Sequence, residues 1–193
     1  MKWNRRTAVL VVPLSVLFVS VVGGWALSRS SDNVDANLKN PGTVQIPTIG
    51  TNAANTGTPF RFVELIDNAT GDAGTISPDG KPMVVNFWFS TCEPCKREMP
   101  ALSAASAKYA NTVDFIGINP NDTREVATTF IKKYKITYPT YIDDGDQLAA
   151  AGVATLPATF FLDGNGNIIE RRAGEITATE IDTILTKMLG AAS

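Results

Sequence analysis

The sequence predicts an α/β sandwich, with a central mixed β-sheet covered by helices and one transmembrane helix before it. From residue 60 onward, short runs of β-branched and aromatic residues alternate with stretches whose apolar residues recur every three or four positions. Alternating strands and helices are typical of parallel sheets, and a hairpin near the C-terminus would make the sheet mixed. The length of 193 residues suits one such domain with appendages.

The first strand is expected at residues 60–66, where apolar and aromatic residues cluster. A turn-rich stretch follows at 67–82 and contains the turn signal Pro78-Asp79-Gly80. The next strand, predicted at 83–89, is apolar apart from Asn86, which indicates a buried central position. After it, Met99, Leu102 and Ser106 recur at helical spacing.

Residues 113–118 form a short apolar run that predicts a third strand. Asp122 and Glu125 are spaced like a capping box, so we expect a helix with the apolar stripe Val126, Phe130 and Tyr134. A strand at 138–142 should follow. A short helix at 147–151 should end at Gly152.

Residues 158–162 and 167–172 flank a Gly-rich and Asn-rich turn, which predicts a β-hairpin. Thr177 and Glu180 form a second capping-box pattern ahead of a helix with Ile181, Ile184 and Leu185 on one face. This last helix should cover one face of the sheet. We find no internal repeat.

The N-terminal region predicts a membrane anchor. Residues 1–6 are basic and should remain in the cytoplasm, whereas residues 7–27 contain no charge and are long enough to cross a hydrocarbon core of about 30 Å. The positive-inside rule then places everything after Leu27 outside the cytoplasm. The alternative is a cleavable signal peptide, with a small-residue site near Ala26, in which case the protein is secreted.

Residues 28–57 are rich in Ser, Asn, Thr, Gly and Pro and predict a flexible linker, so that the folded domain occupies residues 58–193. Within the linker, residues 43–49 are the alternative candidate for an extra strand. The chain is 44% hydrophobic and 19% charged, with a net charge of −2. This balance does not favour nucleic-acid binding, which requires a basic face.

Both cysteines of the chain lie in Cys92-Glu93-Pro94-Cys95, directly after the predicted central strand and before a helix. Unpaired N–H groups and the helix dipole at a helix N-terminus stabilise a thiolate, which is the reactive form of cysteine. Pro94 suits a first helical turn and holds Cys95 where it can attack a mixed disulfide on Cys92. The negative charge of Glu93 disfavours the ionised, thiolate form of the nearby cysteines. The pattern therefore predicts thiol chemistry.

Three other interpretations of the cysteine pair remain open. A zinc site needs about four ligands, and the chain offers two cysteines and no histidine. A structural disulfide between such close neighbours would constrain the unfolded chain little. A copper-binding or partner-docking module is the non-enzymatic alternative. We expect no metal and no bound cofactor beyond the Cys92–Cys95 pair.

The chain resembles the thioredoxin-like fold and, within it, the membrane-anchored TlpA-like and ResA-like thiol-disulfide oxidoreductases. The resemblance covers roughly residues 60–189. It depends on Asn86-Phe87-Trp88, on the block from Cys92 to Pro100, on Gly117-Ile118-Asn119, and on the block from Leu156 to Asp163 that follows Gly152-Val153.

The resemblance implies site residues. It implies that Cys92 attacks, that Cys95 resolves, and that the bond between Leu156 and Pro157 is a cis peptide beside them, where a substrate segment would pair. Glu93 and Pro94 complete the expected substrate-binding set. Glu98 matches an acidic position thought to tune the cysteines, and it is the nearest candidate for proton transfer. The alternative for Glu98 is an exposed first-turn glutamate.

Two positions depart from the family pattern. Thr91 stands where most relatives carry Trp. Asn86 stands where thioredoxin has a buried aspartate, and it cannot carry a proton. We expect Trp88 to belong to the core.

The function implied by the resemblance is disulfide exchange with protein thiols and disulfides outside the cytoplasm. The resemblance also implies a redox partner that is located in the membrane or outside the cytoplasm. Reductase work, as in cytochrome c maturation, is the leading expectation, and oxidase work on exported proteins is the alternative.

Overall fold

The computed structural model describes residues 56–191, which form a seven-stranded sheet and four helices. The strands are β1 (Glu64–Asp67), β2 (Ala73–Thr75), β3 (Met83–Phe87), β4 (Asp114–Asn119), β5 (Thr140–Ile142), β6 (Ala158–Leu162) and β7 (Ile168–Ala173). The helices are α1 (Glu93–Lys108), α2 (Arg124–Tyr134), α3 (Asp146–Ala150) and α4 (Ala178–Ala191). The sheet order is β2-β1-β5-β4-β3-β6-β7.

The sheet is mixed, as predicted, and β3 lies inside it. β3 runs parallel to β4 and antiparallel to β6, and all five of its residues are buried. β6 and β7 form the predicted antiparallel hairpin. A strand that is paired on both sides and covered on both faces must be apolar at nearly every position, which explains the nearly unbroken apolar run at 83–87.

Helices cover the two faces of the sheet unequally. Val84 of β3 packs in one core cluster with residues of α1, α2 and α4. Val85 and Phe87 pack in the other core cluster, together with Phe60 and with Leu148 of α3. Because side chains alternate along a strand, Asn86 lies on the same face as Val84, toward α1. This alternation brings the polar residue of β3 under the helix that carries the cysteines.

Several predicted boundaries differ from the structure. The first strand begins at Glu64 rather than residue 60, although Phe60 donates a backbone hydrogen bond to the carbonyl of Gly166 at 2.8 Å. The stretch 67–82 is not only turns, because β2 pairs there with β1. A three-residue strand with no buried side chain has no hydrophobic pattern to reveal it.

The capping prediction for α2 was wrong by one residue. Thr123, not Asp122, is the N-cap, and its hydroxyl accepts a hydrogen bond from the backbone N–H of Val126 at 3.4 Å. The Thr177–Glu180 capping box of α4 is confirmed, with the Glu180 carboxylate accepting from the backbone N–H of Thr177 at 2.9 Å. Asp122 is therefore available for a different contact near the cysteines.

The predicted membrane segment 7–27, the possible strand 43–49 and nearly all of the linker lie outside the described residues. Within 56–191, no helix combines the length and the apolar character that a membrane span requires.

Candidate functional site

Cys92 and Cys95 are joined by a disulfide at the start of α1. The S–S distance is 2.07 Å and the two Cα atoms are 5.2 Å apart. Cys92 is the N-cap of the helix, and its Sγ accepts a hydrogen bond from the backbone N–H of Cys95 at 3.2 Å. Pro94 lies in the first turn, where its missing N–H costs no helix hydrogen bond. The predicted placement of Cys92 at a helix N-terminus is confirmed.

The two sulfur-bearing residues differ in exposure. Cys92 retains 6% of its surface, whereas Cys95 retains none. An incoming partner can therefore reach Cys92 before Cys95. This asymmetry agrees with the expected roles, in which Cys92 attacks and Cys95 resolves.

Glu93, between the cysteines, is paired rather than free. Its carboxylate binds the ammonium of Lys96 at 2.5 Å. The hydrogen bond from Lys96 holds the pKa of Glu93 below its usual value. Because a positive charge lies beside the carboxylate, the predicted penalty of Glu93 on a Cys92 thiolate is at least partly cancelled.

Glu98 is 1% exposed, so the alternative of an exposed glutamate is wrong. Its Oε1 accepts from Nδ2 of Asn86 at 2.8 Å, and its Oε2 accepts from the backbone N–H of Ile176 at 3.1 Å. Burial raises the pKa of Glu98 to about 8, and the two hydrogen bonds only partly oppose this. Near neutral pH the carboxyl group is therefore mostly protonated.

Helix periodicity explains the burial of Glu98. The buried positions Cys95, Glu98, Met99 and Leu102 recur every three or four residues and face the sheet. A glutamate three residues after Cys95 must then share the buried face with it. Neither carboxyl oxygen of Glu98 hydrogen-bonds to a cysteine, so any effect on the cysteines acts over a longer distance than sequence spacing suggested.

Asn86 connects Glu98 to the strand that follows Pro157. Besides Glu98, its Nδ2 donates to Oγ1 of Thr159 at 3.0 Å, across the β3–β6 register. The Leu156–Pro157 peptide is cis, as expected. The register of Phe87 with Ala158 places this peptide at the end of β3 from which the cysteine loop leaves.

The backbone of Leu156 has no hydrogen bond to any residue of 56–191, although the carbonyl of its neighbour Pro157 accepts from Gly174 at 2.8 Å. Leu156 is half-buried and Pro157 is buried. The free N–H and C=O of Leu156 can therefore pair with an added extended segment.

Sequence reasoning missed one contact of the site. Both oxygens of the Asp122 carboxylate bind Ser90, two residues before Cys92: Oδ2 accepts from the backbone N–H at 2.6 Å, and Oδ1 from the hydroxyl at 2.8 Å. Asn119 donates to the same carboxylate at 2.8 Å. The sequence feature that could have revealed this contact is an acidic residue just past the C-terminal end of β4. Because β4 runs parallel to β3, the C-terminal ends of both strands lie at the same edge of the sheet.

Trp88 belongs to the core, as predicted. It is fully buried and stacks on Phe130 with ring centroids 4.6 Å apart. A cluster of three or more His, Cys, Asp or Glu side chains able to hold a metal ion is absent from the part of the chain that the structure describes.

The AhpC/TSA family profile matches residues 62–171, which is more than half of the chain. The chain belongs to the AhpC/TSA family. This family member is 32% identical over 111 residues to the thiol-disulfide oxidoreductase ResA of Bacillus cereus, an alignment that covers 56% of this chain and 64% of the relative. ResA of Geobacillus thermodenitrificans is 35% identical over 104 residues, covering 53% and 60% respectively.

The AhpC/TSA-family chain also resembles a solved structure, the thioredoxin domain of a thiol-disulfide oxidoreductase from Bacteroides vulgatus. The TM-score is 0.61 at 21% identity, covering 69% of this chain and 97% of that one. The fold is therefore thioredoxin-like. The chain spans less than two thirds of the length of the ResA relatives that it matches.

Proposed function

We propose that this protein is an extracytoplasmic thiol-disulfide oxidoreductase that exchanges disulfides with partner proteins through Cys92 and Cys95. The observation that carries the proposal is the disulfide at the N-terminus of α1, with Cys92 as its more accessible member. Relatives named ResA thiol-disulfide oxidoreductases support the same reaction class.

In the reducing direction, the Cys92 thiolate attacks one sulfur of a partner disulfide. A mixed disulfide forms and one partner thiolate leaves. The Cys95 thiolate then attacks Sγ of Cys92, the second partner thiolate leaves, and the Cys92–Cys95 disulfide closes. Two electrons pass to the partner, which takes up two protons. The cysteine pair itself carries the electrons, so this chemistry requires no bound cofactor.

Glu98 is proposed to serve this reaction from inside the protein. With a pKa of about 8, its carboxyl group can hold or release a proton near neutral pH. It lies one helical turn from Cys95 on the buried face of α1, so its charge state acts on the resolving thiol through a medium of low dielectric constant. A neutral Glu98 favours the Cys95 thiolate more than an ionised one does.

Leu156 is proposed to hold the partner. Its unpaired backbone N–H and C=O offer the two hydrogen bonds with which an extended segment adds to a strand edge. Glu93 and Pro94, on the surface between the cysteines, would contact the same segment from the other side.

We further propose that the protein works as a reductase in the ResA manner, for example on the haem-attachment cysteines of cytochromes c. The opposite direction, oxidation of exported proteins, uses the same steps in reverse. The difference lies in the reduction potential of the pair relative to its partners.

The proposed membrane location of the protein depends on residues 7–27. We expect the full-length protein to stay in the membrane fraction after extraction at alkaline pH, with its domain digestible by protease added outside the cytoplasmic membrane. Recovery of a chain lacking residues 1–27 in the medium would show a cleaved signal peptide instead.

The test of the reaction is partner trapping. Replacing Cys95→Ser removes the resolving thiol, so mixed disulfides on Cys92 should accumulate in non-reducing gels. Replacing Cys92→Ser should trap nothing, because Cys95 is fully buried. If neither variant forms mixed disulfides with any protein disulfide offered, the proposed function is rejected.

A further inference from the structure

A mostly apolar groove of about 350 Å³ lies beside the cysteine loop, between Ser90 and α2. Its lining consists of Ser90, Glu125, Val126, Thr129, Phe130 and Lys133. Of these residues, only Ser90, which binds Asp122, and Phe130, which stacks on Trp88, were described with the site above.

Val126 is the unusual member of this groove. It is 45% exposed, and the only other large apolar side chain with comparable exposure among residues 56–191 is Ile66, at 41%. A single exposed aliphatic side chain needs no explanation. Val126 stands apart because it adjoins a groove and the groove adjoins the cysteines.

Two observations place the groove near the cysteine loop. Ser90 precedes Cys92 by two residues, which limits the distance between their Cα atoms to about 7 Å. At the other side, Lys133 is the weakest of the three positive charges, after Lys96 and Arg97, that lower the pKa of Glu93. The groove therefore lies near the surface on which a partner must lie to reach Cys92.

We propose that this groove receives a large aliphatic side chain of the partner segment, two residues from the partner cysteine that reacts with Cys92. The inference rests on the proposed function and specifies its substrate. In an extended segment, side chains at positions i and i+2 point to the same side and lie about 6.6 to 6.8 Å apart. A side chain at that spacing from the partner cysteine can reach Ser90, because the Cα atom of Ser90 lies within about 7 Å of that of Cys92.

The groove selects an uncharged occupant. Glu125 and Lys133 in its lining carry opposite charges, so neither an acidic nor a basic side chain gains from the pair as a whole. Val126 and Phe130 give the lining apolar surface, which favours an apolar side chain that is removed from water.

The test uses two symmetric peptide disulfides as probes. Each is a dimer of Gly-X-Gly-Cys-Gly-X-Gly joined through its single cysteine, with X either leucine or serine. The reduced protein converts each dimer into two thiol peptides and becomes the Cys92–Cys95 disulfide, so the second-order rate constant is measured by acid quench and chromatography.

With the native protein, the leucine dimer should react about five to twenty times faster than the serine dimer, as expected for a leucine side chain partly buried in a groove. Val126→Gln should reduce this ratio to below about two, chiefly by slowing the leucine dimer. Val126→Leu should preserve the ratio. Ile66→Gln is the matched control, because it removes the other exposed aliphatic side chain and should change neither rate.

Equal rates for the two dimers, or a ratio that survives Val126→Gln, would overturn the inference while leaving the proposed function intact. Failure of the native protein to reduce either dimer or oxidised glutathione would instead reject the proposed function. A concentration-dependent dimer in sedimentation that Val126→Gln abolishes would assign the groove to a second copy of this chain and also overturn the inference.

Discussion

Nδ2 of Asn86 donates a hydrogen bond to Oε1 of Glu98 at 2.8 Å, inside a core where Asn86 and Glu98 are each 1% exposed. The bond links the central strand β3 to the helix that begins at Cys92. Because Asn86 stays neutral, this contact does not supply the charge that a buried carboxylate would need. The protonation state of Glu98 is therefore coupled to stability.

Glu98→Gln should flatten the pH dependence of stability. The folded-state pKa of about 8 lies above the ordinary value of 4.5, so the folded protein binds the extra proton between these values. The free energy of unfolding should fall as pH rises from about 5 to 8, by several kcal/mol for a buried group. The glutamine variant should lose most of this slope in urea unfolding at a series of pH values.

Glu93→Gln is the control for this series, because Glu93 is exposed on the same helix and paired with Lys96. Its slope between pH 5 and 8 should match that of the native protein. A native protein whose stability rises over that interval would contradict the assignment of a raised pKa to Glu98.

Gly117→Ala should destabilise the protein by about 1 to 3 kcal/mol, a typical cost of overpacking. A Cβ atom at Gly117 would lie 2.8 Å from Nε1 of Trp88 and 3.2 Å from Cγ2 of Thr140. Gly74→Ala is the matched control in another strand, since a Cβ atom there meets nothing within 4 Å. Urea unfolding followed by tryptophan fluorescence measures both. If both substitutions changed the free energy of unfolding equally, the Trp88 side chain would move away from the new Cβ atom without a measurable loss of stability.

Asp122→Asn should loosen the segment before Cys92. The amide cannot accept from both groups of Ser90 as the carboxylate does, and one partly buried donor loses its partner, at a cost of about 1 kcal/mol. The Cys92–Cys95 disulfide should also be reduced faster by dithiothreitol. Asp144→Asn, at an exposed aspartate, should change neither quantity. An unchanged reduction rate in Asp122→Asn would show that the contact between Asp122 and Ser90 does not affect the reactivity of the Cys92–Cys95 disulfide.

The reduction potential of Cys92–Cys95 decides the direction of electron flow. For a reductase we expect a value below about −250 mV in redox buffers of known glutathione or dithiothreitol ratio. Cys92→Ser with Cys95→Ser in one chain is the blank for this titration. A value near −120 mV would assign the protein to oxidation instead.

Sequence patterns predicted the elements whose residues are buried at regular spacing. The central strand predicted at 83–89 was found at 83–87, and the hairpin strands predicted at 158–162 and 167–172 were found at 158–162 and 168–173. The Thr177–Glu180 cap was found where predicted. Burial on a strand or helix leaves a period in the sequence that reveals such elements. β2 was missed because its three side chains are exposed and leave no such period. The cap of α2 was misplaced because Asp122 and Thr123 are both good capping residues.

The sequence by itself determined the thiol pair and its position between a strand and a helix, because local order along the chain records both directly. The candidates Glu98 and Pro157 came from the resemblance to known oxidoreductases. Only the tertiary structure decided that Glu98 is buried against Asn86, that Asp122 binds Ser90, and that Val126 and Ser90 line one groove. Those contacts join residues 12 to 36 positions apart, and the sheet register and helix packing that create them depend on the whole domain.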